Sequence, residues 1–198
     1  MINLDKINRN QEPYKKFLYL YHKAASFNQI SIEAVCLSTI NLTNKSAHSR
    51  FVNIKYLDNK NFIFFTNYNS NKAKEINTSS KIALNFFWSS INTQIRIEGK
   101  IQKLDEQLSD EHFRNRDNKK NALAISSNQS EKIDSYENIK KNYEIQIEKT
   151  NELTKRPNYW GGYTITPYYF EFWEGNEARV NKREAFKLSK GIWKVSIG

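Results

Sequence analysis

The chain has 198 residues, and its 31 Lys and Arg against 21 Asp and Glu leave a formal charge of +10. This length suits a single domain, 1–198, with a hydrophobic core to which the 14% of aromatic residues must contribute heavily. No apolar run approaches the roughly 18 residues of a membrane span, the N-terminus lacks an apolar signal region, and the one cysteine excludes an internal disulfide framework. We therefore expect a cytoplasmic protein.

The positive charge predicts an anionic partner, and nucleic acid is the usual candidate for a basic chain. The lysines are, however, scattered along the sequence and never form a dense block. Binding of a small phosphorylated ligand would use the same charge. We therefore expect a phosphorylated small molecule rather than a polynucleotide, and no membrane.

The first part of the chain is predicted to fold as a helix, three strands and a second helix. These segments are 12–27, 33–41, 48–57, 62–68 and 70–80. In the first helix, Pro13 fits the opening turn and apolar residues recur at helical spacing. Residues 1–30 are accordingly expected to form an N-terminal helical arm, and the strands are separated by polar turns.

The second part is predicted to begin with a strand hairpin and to end with two further strands. The hairpin strands are 81–90 and 93–104, the later strands are 161–175 and 192–197, helices cover 106–116 and 131–149, and 117–130 and 150–160 are irregular. Closely spaced strands with helices inserted late are typical of an antiparallel barrel with peripheral helices. The predicted fold class is therefore mainly β, within α+β.

Familiar catalytic and metal-binding motifs are not evident, and an anion-binding pattern remains. The three histidines have no partner at metal-ligand spacing. The segment "TNYNSNKAKEI" enters a helix from a strand, with Thr66, Ser70 and Lys72 near the helix start. Free N–H groups and the positive dipole end make such a terminus a phosphate site. An ordinary capped helix would show the same pattern.

Other charged positions are ambiguous when each is considered alone. In "SRFVNIK", Arg50 and Lys55 are five residues apart, so they share a ligand only at a strand end or a bulge. Gln94 in "TQIRIEGKI" could hydrogen-bond a heterocycle edge or simply face solvent. His112 and Arg116 in "HFRNR" share one helix face, as many surface pairs do.

Taken in order, six motifs resemble the pyridoxamine/pyridoxine 5′-phosphate oxidase family. They are "SRFVNIK", "FIFFTNYNSNKAKEI", "TQIRIEGKI", "HFRNR…SSNQS", "YWGGY" and "FEFWEGNEARVNKR". The resemblance runs from about residue 12 to the C-terminus. It implies an antiparallel split β-barrel of the FMN-binding, Greek-key type, with peripheral helices, and a homodimer with FMN at the subunit interface.

The resemblance also implies roles for individual residues, with two of the cofactor contacts, Gln129 and Ser130, coming from the other subunit. The implied FMN-binding residues are Arg50, Phe51, Val52, Lys55, Phe65, Thr66, Ser70, Asn71, Lys72, Gln94, Gln129, Ser130, Trp173 and Arg183. The implied substrate-binding residues are Lys55, His112, Arg116, Lys120, Arg179 and Asn181. Of these, Arg179 and Asn181 would lie over the reacting ring as the catalytic pair.

Four positions depart from the family pattern. Asn71 stands where the family usually has Arg, which removes one cation near the cofactor phosphate. On the substrate side, His112 replaces Tyr, Lys120 replaces Ser and Asn181 replaces His. An amide cannot titrate near neutral pH as an imidazole can, so Asn181 bears directly on activity.

The activity implied by the resemblance is oxidation of pyridoxamine or pyridoxine 5′-phosphate to pyridoxal 5′-phosphate, with dioxygen reduced to hydrogen peroxide. Two alternatives stay open at this point. One is a related FMN-dependent oxidase with another substrate, of the secondary-metabolite type. The other is a protein without catalytic activity that binds flavin or associates with nucleic acid.

Overall fold

One antiparallel sheet organises the computed structural model, which describes residues 1–4, 6, 11–126, 130, 135–149, 153–178 and 180–198. Within these residues the sheet has nine strands, in the order β2-β1-β5-β6-β7-β4-β3, with β8 added to β7 and β9 to β8. The strands are β1 Ala34–Asn41, β2 Ser46–Asn53, β3 Tyr56–Asp58, β4 Asn61–Asn67, β5 Lys81–Trp88, β6 Thr93–Lys103, β7 Trp160–Glu174, β8 Lys182–Ser189 and β9 Ile192–Ile197.

Five helices surround the sheet in the described part of the chain. They are α1 Tyr14–Ser26, α2 Asn71–Thr78, α3 Glu106–Arg114, α4 Asn118–Ser126 and α5 Tyr136–Glu148, and a short 3₁₀ turn covers Ser89–Ile91. The prediction of an antiparallel barrel with peripheral helices is confirmed. None of the described helices is long and apolar enough to cross a membrane.

The core lies inside the curved sheet and includes the N-terminal helix. In β5, buried and more exposed residues alternate, as expected for a strand with one face on the core. Phe17 of α1 is fully buried, and its ring meets Phe62 at 5.2 Å and Phe86 at 5.6 Å between centroids. Edge-to-face aromatic packing of this kind lets helix α1 close one end of the sheet.

Strand β7 divides the sheet into two wings. Its first half pairs with β4 and its second half pairs with β8, while β6 lies along the opposite edge. The two halves therefore lead to different parts of the molecule. Strand β4 leads into α2 and lines the cleft described below, whereas β8 pairs with β9 to form the C-terminal hairpin.

The predicted single strand 48–57 is wrong, because the chain changes its pairing partner within it. Strand β2 pairs with β1, whereas β3 pairs with β4. Ile54 lies between them, fully buried, and donates its N–H to the Glu33 carbonyl, while the Lys55 N–H reaches the Ile63 carbonyl. Alternation reports which face is buried and does not report which neighbour a strand pairs with. The crossover places Lys55 at a strand end.

Two further predictions of local structure are wrong. The segment 117–130 was expected to be irregular, yet 118–126 forms α4, whose first turn is capped by Asp117 accepting from the N–H groups of Lys119 and Lys120. Strand β8 was not predicted, because its charged residues lack the alternation of a typical strand. It nevertheless pairs on both edges, with β7 and with β9. In both cases tertiary pairing overrides a polar local sequence.

Candidate active site

A cleft of ≈ 300 Å³ opens where β2, β4, α3 and α4 converge. The predicted site residues that line it are Phe51, Val52, Lys55, Phe65, Thr66, Lys72, His112, Arg116 and Lys120. These residues come from segments spread over 70 positions of the sequence, from 51 to 120. The fold therefore brings the predicted cofactor and substrate residues of this wing together.

Lys72 is a buried cation at the floor of the cleft. Its side chain is 8% exposed, and its ammonium donates to Thr66 Oγ1 at 3.0 Å and to Ser70 Oγ at 3.2 Å. Burial, followed by the nearby charge of Arg50, lowers its pKa to about 8. Among the described residues Lys72 has no carboxylate partner, so the site is short of negative charge.

Ser70 and Asn71 form the entry to α2 beside this lysine. Ser70 is fully buried and donates its hydroxyl to the Asn67 carbonyl at 2.7 Å. The side chain of Ser70 makes no capping bond, so the first N–H groups of the eight-residue helix α2 keep their capacity to bind an anion. Asn71 lies on the outer side of this turn and lines a second, separate cleft of ≈ 430 Å³.

Arg50 lines that second cleft and is held by a buried carboxylate. Its guanidinium donates to Glu75 Oε2 at 3.1 Å and also to the Thr39 hydroxyl, which in turn donates to Glu75. His48 Nδ1 lies 2.5 Å from the other carboxylate oxygen. Burial alone would raise the pKa of Glu75, but these hydrogen bonds together lower it. Sequence reasoning missed Glu75, since a helical Glu carries no signal of its partners.

His112 projects from α3 and is stacked on Phe65 of β4, with ring centroids 3.7 Å apart and planes 7° from parallel. Its Nδ1 is hydrogen-bonded to the Tyr56 hydroxyl at 2.8 Å. Burial, with Arg116 and Lys55 nearby, lowers the pKa of His112 to about 4. The imidazole is therefore neutral at physiological pH. Tyr56 was not predicted as a site residue, although it directly follows the predicted Lys55.

Arg116 follows α3 and lies over the ring of Trp160, with 5.0 Å from the guanidinium carbon to the ring centroid. Its Nη1 donates to Asn121 Oδ1 at 3.4 Å. Asn121 is fully buried and donates to the carbonyls of Phe113 and Leu153. Burial lowers the pKa of Arg116, although Asp117 opposes this shift. Asn121 and Trp160 thus hold the cation in place, and neither was predicted.

The "WGGY" segment explains how the Trp160 ring reaches the cleft. A Cβ at Gly161 would lie 2.3 Å from the Tyr68 hydroxyl, and one at Gly162 would lie 2.6 Å from Leu104. A side chain at either position would have to displace Tyr68 or Leu104, so glycine allows the start of β7 to pack closely against both. The Phe65 and Trp160 rings are then nearly parallel at 5.4 Å and form one wall of the cleft.

Three predicted cofactor residues lie together in the other wing. Gln94 is opposite Trp173 in the β6–β7 register, and Trp173 is opposite Arg183 in the β7–β8 register. Trp160 and Trp173 lie at the two ends of β7, about 40 Å apart along the strand at about 3.3 Å per residue. Gln94, Trp173 and Arg183 do not line the cleft, whereas Trp160 at the other end of β7 does.

The remaining predicted residues lie near the surface or outside the described residues. Lys120 is exposed at the cleft edge on α4, and Ser130 is exposed in a turn with φ of 73°. Asn181 is exposed, and its Oδ1 accepts the Asn176 N–H at 3.2 Å. Gln129 and Arg179 lie outside the described residues.

Two family models together match most of the chain. Residues 22–147 match the model described as "Pyridoxamine 5'-phosphate oxidase", and residues 160–197 match "Pyridoxine 5'-phosphate oxidase C-terminal dimerisation region". The chain is 36% identical to a pyridoxine/pyridoxamine 5′-phosphate oxidase of Cytophaga hutchinsonii, covering 98% of this chain and 91% of the relative. A Flavobacterium psychrophilum oxidase of the same name is also 36% identical, covering 95% and 89% respectively. The chain belongs to the pyridoxamine 5′-phosphate oxidase family, which confirms the resemblance.

Solved structures establish the fold class. PhzG from Burkholderia lata 383, in complex with tetrahydrophenazine-1-carboxylic acid, superposes with a TM-score of 0.89 at 22% identity, covering 94% of this chain and 92% of that one. A pyridoxamine 5′-phosphate oxidase-related, FMN-binding protein from Nostoc punctiforme superposes with a TM-score of 0.78 at 12% identity, covering 96% and 99%. The predicted split β-barrel is confirmed.

Proposed function

We propose that this protein is an FMN-dependent oxidase that converts pyridoxamine 5′-phosphate or pyridoxine 5′-phosphate to pyridoxal 5′-phosphate. The observation that carries the proposal is the cleft that gathers cations beside an aromatic wall. Lys72 and Arg116 have no carboxylate partner among the described residues, and Lys120 adds charge at the edge. Such a site fits phosphate groups attached to planar rings.

The residues of the cleft floor fit the phosphate of FMN. A buried ammonium with a depressed pKa is destabilised unless an anion approaches it, and a phosphate would restore the charged form. The uncapped N–H groups in the first turn of α2 would supply neutral donors beside Lys72, which Thr66 and Ser70 hold in place by accepting its hydrogen bonds. Asn71 supplies no charge where the family usually has Arg, and Arg50 is already paired with Glu75.

FMN would supply the two-electron acceptor that the side chains lack, with dioxygen as the final acceptor. In the net reaction, the amine or alcohol carbon becomes an aldehyde and dioxygen becomes hydrogen peroxide. For the amine, water provides the aldehyde oxygen and ammonium leaves. The chain's own part is orientation: Lys55, Arg116 and Lys120 hold the substrate phosphate, which restricts where the reacting carbon can lie.

We also propose that the working unit is a homodimer in which the second subunit completes the site. The placement of Trp173 near the end of β7 opposite to Trp160 supports this, because only the Trp160 end of the strand lines the cleft. The match of 160–197 to a dimerisation region supports it independently. A partner copy would bring Gln94, Trp173 and Arg183 to the flavin.

A second candidate is a flavin oxidase of this family that acts on another anionic substrate. The specific observation in its favour is Asn181, which is exposed and bonded to Asn176, where the family has an imidazole over the reacting ring. A carboxylate would also satisfy the cations of the cleft. The two candidates share the fold and cofactor and differ only in the molecule oxidised.

The test is to purify the protein, record the flavin absorbance, and measure peroxide release with each of the two phosphorylated substrates. We expect a yellow protein that releases one peroxide per aldehyde formed. Bound FMN without turnover of either substrate would overturn the substrate assignment. Asn181→His separates the candidates, because a large gain in peroxide release with pyridoxine 5′-phosphate would argue against an altered substrate.

A further inference from the structure

The imidazole of His112 lies between two cavities and is fixed by contacts on two sides. One face stacks on Phe65 at 3.7 Å, and Nδ1 is bonded to the Tyr56 hydroxyl at 2.8 Å. Tyr56 lines the smaller cavity, of ≈ 190 Å³, and is not part of the cationic cleft, whereas His112 lines both. Because Nδ1 turns toward the smaller cavity, the opposite ring nitrogen, Nε2, is the one available to the cleft.

The hydrogen bond between Tyr56 and His112 contains one proton. Burial, with Arg116 and Lys55 nearby, keeps the imidazole neutral down to a pKa of about 4, and burial, with Glu111 nearby, raises the pKa of the Tyr56 phenol. The phenol therefore keeps its proton, and among the described residues His112 Nδ1 is the group that accepts its hydrogen bond. When the phenol donates to Nδ1, the ring proton of the neutral imidazole must be on Nε2.

The tautomer decides what His112 offers to an anion. With the proton on Nε2, the ring donates a hydrogen bond into the cleft beside Arg116 and Lys120. With the proton on Nδ1, a lone pair would face the lone pairs of a phosphate oxygen, which is repulsive. A second group that donates a hydrogen bond to Nδ1 therefore removes the cost of selecting the Nε2–H tautomer when phosphate binds.

We propose that Tyr56 is a positioning residue that fixes His112 as the Nε2–H tautomer and thereby makes His112 a neutral hydrogen-bond donor to the phosphate of the bound substrate. This inference rests on the proposed function for the identity of the anion. It assigns a role to a residue that does not itself line the cationic cleft. It also predicts that phosphate recognition through His112 does not titrate near the ordinary histidine pKa.

The first measurement is the tautomer, read from ¹⁵N shifts of the imidazole nitrogens in FMN-loaded protein labelled at histidine. Three histidines keep the spectrum simple, and His112→Gln identifies the relevant signals. We expect only the Nε2–H tautomer in the wild type and a mixture in Tyr56→Phe. The matched control is Tyr14→Phe, which removes a buried hydroxyl that donates to the Lys60 carbonyl at 2.9 Å, away from the cleft.

The second measurement is the affinity of the FMN-loaded protein for inorganic phosphate and for pyridoxal 5′-phosphate. Tyr56→Phe should weaken both about 5- to 10-fold, the effect of about one hydrogen bond, and raise KM more than it lowers kcat. Tyr14→Phe should leave both affinities unchanged. His112→Tyr in the Tyr56→Phe background should restore binding, because a tyrosine hydroxyl donates without a partner to orient it.

The outcomes separate this inference from the proposed function. An Nδ1–H tautomer in the wild type would overturn the inference, and that result stands even if Tyr56→Phe does not fold. Unchanged phosphate affinity in a folded Tyr56→Phe variant would also overturn it. If the tautomer and phosphate binding are as expected but neither vitamin substrate turns over, the proposed function fails and the role of Tyr56 remains.

Discussion

Replacing Lys72 with Met should have opposite effects on cofactor binding and on the stability of the flavin-free protein. Lys72 is 8% exposed, has no carboxylate partner among the described residues, and has a pKa lowered from its ordinary value of 10.5 to about 8. Met keeps a similar length and volume and removes the charge. The variant therefore measures two quantities: the free-energy cost of burying the cation, and the contribution of the cation to FMN binding.

The magnitude follows from the pKa. At about 1.36 kcal/mol per pKa unit, the shift corresponds to about 3 kcal/mol by which folding disfavours the charged lysine. Because the folded pKa is depressed, this penalty is complete below about pH 8 and disappears as the pH rises through 10.5. At pH 7 the variant also loses the bonds to Thr66 and Ser70, at about 1 kcal/mol each. The net gain in its stability there should be about 1 kcal/mol.

The same substitution should weaken the binding of FMN. A charge-assisted hydrogen bond to phosphate contributes about 1.5–3 kcal/mol, so Lys72→Met should weaken FMN binding roughly 10- to 150-fold. Flavin fluorescence titration of the flavin-free protein measures this loss. Lys74→Met is the matched control, because Lys74 is exposed two residues further along α2 and should change FMN affinity little.

Urea unfolding between pH 7 and 10.5 checks the stability argument. The wild-type free energy of unfolding, relative to that of Lys72→Met, should rise by about 3 kcal/mol over this range. The comparison cancels the titration of tyrosines, which both proteins share. A constant difference between the two proteins across the range would show that Lys72 is not desolvated. An unchanged FMN affinity would show that it does not bind the cofactor phosphate.

Three further predictions concern the surroundings of the cleft and the core. Glu75→Gln should destabilise the protein by about 3 kcal/mol at pH 7, because it removes a buried carboxylate that accepts from several donors. Since the pKa of Glu75 is lowered, the difference in unfolding free energy between wild type and variant, measured in urea, should shrink below about pH 4.5. A difference in unfolding free energy that does not depend on pH would contradict the assignment. Asn121→Leu should raise KM for a phosphorylated substrate about 5- to 10-fold by releasing Arg116, with little loss of bound FMN, and steady-state kinetics giving an unchanged KM would refute it. Phe17→Ala should cost about 3–5 kcal/mol in urea unfolding, and a cost below 1 kcal/mol would mean that α1 is not part of the core.

The sequence by itself determined the elements whose residues carry their own periodic signal. Alternation along β5 and the apolar stripe of α1 each require one buried face, and both elements formed as predicted. The ordered motifs were sufficient to establish the family and hence the split barrel. They also placed Lys72 at a strand-to-helix turn, where an anion site is physically expected.

Only the tertiary structure decided which groups are in contact and which protonation state each of them has. Tyr56 and His112 are 56 positions apart, and Arg50 and Glu75 are 25 apart, so no local pattern could pair them. The crossover after β2 and the strand β8 depend on long-range pairing that polar local sequence conceals. Burial then sets the pKa values of the paired groups. Residue types are therefore readable along the chain, whereas solvation and partners are properties of the folded molecule.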